Sequence, residues 1–147
     1  MDQIDQQILR ELSRDGRLPN ATLADRVGLS PSAYLRRVQE LERKGVLKGY
    51  RAVLDGEAMG KGFVAYVTVG LSSHTKQAQL GFEQAMQGLR EVRECHNITG
   101  TVEYLLRVEA ADLPSYKRFH TDHLGTLPHV AQITTHVVMG SPKDERA

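Results

Sequence analysis

Residues 20–45 read Asn20-Ala-Thr-Leu-Ala-Asp-Arg-Val-Gly28-Leu-Ser30-Pro-Ser-Ala-Tyr-Leu-Arg-Arg-Val-Gln-Glu-Leu-Glu-Arg-Lys-Gly45. The pattern is two helices joined by a short turn. Asn20 is of the type that caps a helix start, and Leu23, Ala24 and Val27 fall on one face. Gly28 follows, where a helix end takes positive φ. Ser30 caps a second helix and Pro31 sits at its first position, where a missing N–H costs nothing. Leu35, Val38 and Leu41 repeat at helical spacing as the buried side. Ser32, Ala33, Tyr34, Arg36, Arg37 and Gln39 are left facing away from it. This is the layout of a helix-turn-helix whose second helix enters the DNA major groove.

Working outward, residues 2–14 predict a further helix, with Ile4, Ile8, Leu9 and Leu12 as its apolar stripe and Asp2 and Asp5 in its first turn, where the helix dipole favours acids. After Gly45, residues 46–54 read as extended chain, a wing or a hinge strand. Gly56, Gly60 and Gly62 fall within eight residues, and the domain boundary is placed there. The expected organisation is a helix-turn-helix domain over 1–54, a linker over 55–62 and a second domain over 63–147.

The second domain opens on Phe63–Leu71, β-rich and apolar on both faces. Residues 77–89 show helical spacing, 92–99 are extended, and 103–110 alternate with Tyr104, Leu106, Val108 and Ala110 on one side. A helix starting near Asp112 carries Leu113, Tyr116, His120, Leu124 and Leu127. Residues 130–139 alternate again, with Ala131, Ile133, Thr135, Val137 and Met139 together. The order βαββαβ predicts a ferredoxin-like sheet with both helices on one face, an α+β fold. A first strand apolar on both sides asks for cover on the other face, and a second copy of the chain is the expected cover.

The chain has 147 residues and a net charge of +1. Residues 1–51 hold ten Lys/Arg against seven Asp/Glu, and residues 52–147 hold nine against eleven. A basic front and an acidic back suit a DNA-reading module joined to one that does not touch DNA. Cys95 is the single cysteine, so no intrachain disulfide forms. The acidic start, Met1-Asp2-Gln3-Ile4-Asp5, does not read as a signal peptide, no apolar run approaches a membrane span, and a cytoplasmic location is expected.

Several patterns weigh against other chemistries. His120 and His123 have a usable metal-ligand spacing, but His120 falls in an apolar stripe and no second ligand cluster stands out. Gly60-Lys61-Gly62 lacks the rest of a phosphate-binding loop, and no nucleophile elbow or zinc-protease motif occurs. No enzyme, no metal site and no resident cofactor are expected. Two alternatives stay open: a metal-responsive repressor, and a regulator without an effector.

Taken in order, Ile4-Asp5, Ile8-Leu9, Gly16-Arg17, Arg26-Val27-Gly28-Leu29-Ser30-Pro31-Ser32, Leu35-Arg36-Arg37-Val38, Leu41-Glu42, Gly45-Val46 and Gly49-Tyr50, followed by Glu94-Cys95-His96, Thr99-Gly100, Tyr104-Leu105-Leu106, Leu127-Pro128 and Val137-Val138-Met139, resemble the Lrp/AsnC family of feast/famine transcriptional regulators. The resemblance implies a winged helix-turn-helix DNA-binding domain and a RAM domain that dimerises and assembles dimers into larger rings such as octamers. It implies contacts to double-stranded DNA from Asn20, Ser30, Pro31, Ser32, Ala33, Tyr34, Arg36 and Arg37. It also implies an amino-acid effector between dimers, at Thr99, Gly100, Thr101, Val102, Glu103 and Tyr104, with His136. Family members have Gly-Asp-x-Asp-Tyr at this loop, whereas this chain has Gly100-Thr101-Val102-Glu103-Tyr104. Gly125 and His136 stand where leucine responders have a leucine and an aromatic residue.

Overall fold

The computed structural model describes residues 1–146. It divides into two compact units, Met1–Val53 and Leu54–Ala147.

The front unit holds α1 (Gln3–Arg14), α2 (Asn20–Arg26) and α3 (Pro31–Arg43). Helix α1 begins in a capping box in which the Asp2 carboxylate accepts from Asp5 N–H and Asp5 accepts from Asp2 N–H. Such a box satisfies two of the donors that a helix start leaves unpaired. Helix α2 ends in a Schellman turn: Leu29 N–H donates to Ala24 C=O at 2.9 Å and Gly28 N–H to Asp25 C=O at 3.2 Å. Gly28 sits at φ +73°, which the turn requires and a side chain would resist. The Ser30 hydroxyl accepts from Ala33 N–H at 3.2 Å, with Pro31 first in α3, as the sequence predicts. Ile8, Leu23, Ala24, Val27, Tyr34, Val38 and Leu41 make the core.

Three expectations in this unit are corrected. Tyr34 does not face outward: it is 1% exposed and is the largest side chain of the front core, while Leu35 is 41% exposed. The buried stripe is therefore Tyr34, Val38 and Leu41, one residue out of phase with the Leu35-based reading. A tyrosine ring reaches across the gap left by three short helices, and Leu35 does not. Asn20 is not the cap of α2. Pro19 holds that position, extended at ψ 147°, and no side chain caps the helix. Its C=O accepts from Leu23 N–H at 3.1 Å, and its missing N–H is no loss because the helix ladder has no acceptor for the N–H at a cap position. Residues 46–54 form no strand in the single chain.

The back unit holds β1 (Phe63–Leu71), α4 (Lys76–Gln87), β2 (Val92–Asn97), β3 (Tyr104–Ala110), α5 (Leu113–Phe119), a π-helical turn (His120–Leu124) and β4 (Val130–Val137). The sheet order is β2-β3-β1-β4 and every pairing is antiparallel. This is the ferredoxin-like arrangement that the element order predicts. Ala65, Val67 and Val69 of β1 and Tyr104, Leu106 and Val108 of β3 pack beneath Phe82 and Met86 of α4 and Tyr116 and Phe119 of α5. Ring pairs Phe82–Tyr104 and Phe63–Tyr116, with centroids 4.6 Å and 5.3 Å apart, join sheet to helices. The alternate residues Tyr66, Thr68, Leu105, Arg107, Thr134 and His136 lie on the opposite face.

Strand β4 departs from strict alternation. The register slips between Gly70 and Leu71, so Leu71 pairs with Val130 and Ala131 is the extra residue. Ala131 is exposed and Val130 packs on the core, because a bulge reverses the side-chain phase beyond it.

Candidate nucleic-acid interface and effector loop

At about 100° per residue, Ser32, Arg36, Gln39 and Arg43 lie opposite the Tyr34–Val38–Leu41 stripe of α3. All four are exposed. Arg36 enters no ion pair among the described residues. Arg43 is held along the helix by Glu40, at 2.6 and 2.9 Å, and the guanidinium lowers the Glu40 carboxyl to about 2. Ser30, Pro31 and Ser32 are exposed at the mouth of the helix, and Ala33 is half-buried one residue on. Asn20 is exposed at the start of α2.

Arg37 is placed differently. Its guanidinium donates to Asp2 Oδ2 at 2.6 Å and to Asp5 Oδ1 at 3.2 Å, both at the start of α1. The hydrogen bond from Arg37 holds the Asp2 carboxyl below its usual range. Tyr34 is shut in the core, and burial raises its phenol above its usual range. The structure thus gathers Ser30, Pro31, Ser32 and Arg36 on one surface, sends Arg37 to the flank and removes Tyr34. Gln39 keeps the outward place that the sequence gives it, and Arg43 joins it. Setting the buried stripe on Tyr34 instead of Leu35 would have identified Arg43 in the sequence.

In the back unit, Thr99, Gly100 and Thr101 are exposed in the turn between β2 and β3. Gly100 has φ +120°, a backbone region in which L side chains are rare. Val102 and Glu103 are half-buried, and Tyr104 is fully buried. The Glu103 carboxylate caps the end of β1: Oε2 accepts from Leu71 N–H at 2.7 Å, while Oε1 lies 2.8 Å from His74 Nδ1. Its side chain is 13% exposed, whereas that of His74 is 78% exposed. The Tyr104 hydroxyl lies 2.5 Å from Glu83 Oε2, and burial first, then this partner, raises its phenol above the usual range. Tyr104 is therefore a wall behind the loop.

His136 is not brought to this loop within one chain. It pairs with Tyr66, three residues along β1 from Val69, the partner of Tyr104, and β1 separates β3 from β4. Of the two candidate metal ligands, His120 lies beside the Tyr116 ring, with centroids 6.1 Å apart, and His123 beside the Phe119 ring, at 6.5 Å. Among the described residues no three His, Cys, Asp or Glu converge as a metal site, and no helix is long and apolar enough to cross a membrane.

A capped helix-turn-helix with an outward polar and basic face, in a chain whose other unit is a βαββαβ sheet with a glycine loop at its edge, defines a two-part DNA-binding regulator. Residues 1–48 match a winged helix-turn-helix DNA-binding family, and residues 64–147 match the Lrp/AsnC ligand-binding domain. The leucine-responsive regulatory proteins of Klebsiella pneumoniae and of Escherichia coli K12 are each 38% identical over 143 residues, 97% of this chain and 87% of theirs. A transcriptional regulator of Neisseria meningitidis, solved as its L-methionine complex, superposes with a TM-score of 0.94 at 33% identity, covering 98% of this chain and 93% of that one. An AsnC-family regulator of Agrobacterium tumefaciens gives 0.91 at 30% identity, covering 98% and 94%. The chain belongs to the Lrp/AsnC family of transcriptional regulators, which are not enzymes.

Proposed function

We propose that the protein binds double-stranded DNA sequence-specifically through the outward face of α3, and that an amino acid at the Thr99–Tyr104 loop modulates DNA binding or assembly. The observation that carries the effector half is the Glu103 carboxylate. One oxygen is fixed by Leu71 N–H, and the other faces an exposed imidazole that an α-ammonium can replace. The exposed Gly100 turn beside it offers backbone N–H groups to the α-carboxylate. One small site thereby complements both charges of a zwitterion. The methionine-bound neighbour and the leucine-responsive relatives make apolar amino acids the first to test.

The working form is a homodimer, joined through the helix-free face of the sheet and assembling further into a ring such as an octamer. Because His136 lies away from the loop of its own chain, an effector site that includes both needs another copy. A dimer sets two α3 helices about 34 Å apart, which asks for a roughly palindromic operator. Light scattering should give a mass of at least two chains at micromolar concentration. A monomer there would contradict this assembly.

A thermal-shift screen of the common amino acids tests the effector. A true ligand at about 100 times its Kd stabilises the native state by about 2.7 kcal/mol. Glu103→Gln keeps an acceptor for Leu71 N–H but loses the charge, so the shift should vanish while ligand-free DNA binding persists. If no amino acid raises the melting temperature, or if Glu103→Gln responds as the wild type does, the site is wrongly assigned.

A further inference from the structure

The two adjacent arginines of α3 have different electrostatic surroundings. Arg36 is exposed with no carboxylate partner among the described residues, so its full charge is open to a phosphate. Arg37 is 33% exposed and faces two carboxylates, Asp2 at 2.6 Å and Asp5 at 3.2 Å, the latter 19% exposed. The local sum over Arg37, Asp2 and Asp5 is one negative charge, which repels a phosphate. To reach DNA, Arg37 would have to leave two hydrogen-bonded partners and unmake the contact between the start of α1 and the middle of α3.

That contact is itself an organised piece of structure. Asp2 is the cap of α1 and Asp5 its reciprocal partner in the capping box, so one guanidinium grips both members of the box. On the other side of α1, Arg26 of α2 reaches Glu11 at 2.9 Å, and the Gln7 side chain donates to Arg26 C=O at 3.2 Å. Helix α1 is thereby tied by charge to α3 at one end and to α2 nearer the other. The front core is small, and Tyr34 and Val38 of α3 share it with Ile8 of α1. A core of this size leaves the tilt of α3 open to small adjustments that a two-carboxylate grip removes.

We propose that Arg37 is a positioning residue and makes no DNA contact: clamped between Asp2 and Asp5, it fixes the angle of α3 against α1, and Arg36 alone of the pair meets the DNA. This rests on the reading of α3 as the DNA-binding helix. The effect of Arg37 on DNA binding then passes through Asp2 and Asp5, which never approach the duplex. A contact arginine and a clamped one respond oppositely when the carboxylates are removed. Freeing a contact arginine strengthens binding, while unclamping a positioning arginine weakens it.

The test is a cycle of Arg37→Gln, Asp5→Asn and the double variant in the full chain. Operator affinity is read by fluorescence anisotropy at several salt concentrations, at a temperature where circular dichroism shows each variant folded. Arg36→Ala and Arg37→Lys run beside it. Arg37→Gln should weaken binding about fivefold with the slope of log K against log salt unchanged. Asp5→Asn, which leaves the Asp2 contact, should weaken it by part of that amount, although it removes a negative charge, and the double variant should be no worse than Arg37→Gln alone. Arg37→Lys, which can keep one carboxylate, should recover part of the loss. A slope reduced by about one unit in Arg37→Gln would make Arg37 a phosphate contact and overturn the proposal. Tighter binding by Asp5→Asn overturns it too, and so does an additive double variant, which would put the Asp5 effect in the α1 cap alone. If Arg36→Ala also binds as the wild type does, it is the reading of α3 as the DNA helix that fails. Should Arg37→Gln not fold, Arg37→Lys takes its place in the cycle with Asp5→Asn, and additive losses there overturn the proposal.

Discussion

The two units of this chain reach stability by different routes. The back unit closes a continuous core between a four-stranded sheet and its helices, with Phe63, Phe82, Tyr104, Tyr116 and Phe119 spanning the layers. The front unit has seven buried residues on three short helices, and it adds charged ties between them, Arg37 to Asp2 and Asp5 and Arg26 to Glu11. In a unit that small, a basic side chain beside the reading surface is as apt to hold helices together as to face a ligand. On the proposal that Arg37 is a positioning residue, counting both Arg36 and Arg37 as DNA contacts overstates the interface.

The largest test of that contrast is a large-to-small change in each core. Tyr34→Ala should cost about 3–5 kcal/mol, as should Phe119→Ala. The front unit has less to lose, so Tyr34→Ala should abolish DNA binding and strip amide-exchange protection from α1 to α3, while β1 and β3 stay protected. Protection lost in both units would break the comparison.

Two helix caps give a smaller and sharper contrast. Ser30 and Thr75 make the same bond, each hydroxyl accepting from a backbone N–H at 3.2 Å. Ser30→Ala and Thr75→Ala should each cost about 1 kcal/mol. Only Ser30→Ala should also weaken DNA binding, because it frays the mouth of α3. Equal effects on DNA affinity would mean that the two helices do not differ in role.

The smallest effect is chemical and leaves stability unchanged. Burial, with Glu83 nearby, pushes the Cys95 thiol up to about 11. At pH 8 roughly one molecule in a thousand then carries the thiolate, against about a quarter for an ordinary cysteine. Alkylation should be slow in the native protein and accelerate as pH rises toward 11. It should report opening of the back unit only, since the front unit has no cysteine. Rapid labelling at pH 8 would place this thiol in water.

Much of the architecture was legible in order and periodicity. The Ser30-Pro31 start, the Gly28 turn and the clean alternation of Tyr104 to Ala110 each specify a local geometry with few alternatives. What failed did so for definable reasons. Tyr34 and Leu35 are adjacent and both can close a helix face, so the phase of the stripe was decided by the width of the gap between helices, which sequence does not encode locally. Arg36 and Arg37 look alike because the partners of Arg37 lie more than 30 residues away, at Asp2 and Asp5. The bulge at Ala131 depends on its neighbour strand, and no residue in β4 announces it. The loop from Thr99 to Tyr104 was legible as a glycine turn with an acid, but not the engagement of Glu103 with Leu71 N–H, a bond across 32 residues of sequence.

The account turns on the outward face of α3, and Arg36 is its most direct probe. Operator affinity of Arg36→Ala should be measured by anisotropy against the wild type over a range of salt concentrations. The expected result is a weaker complex, with the salt slope reduced by about one unit if Arg36 meets a phosphate, or a loss of about 1–3 kcal/mol confined to one operator position if it meets a guanine edge. Affinity and slope both equal to those of the wild type would contradict the account.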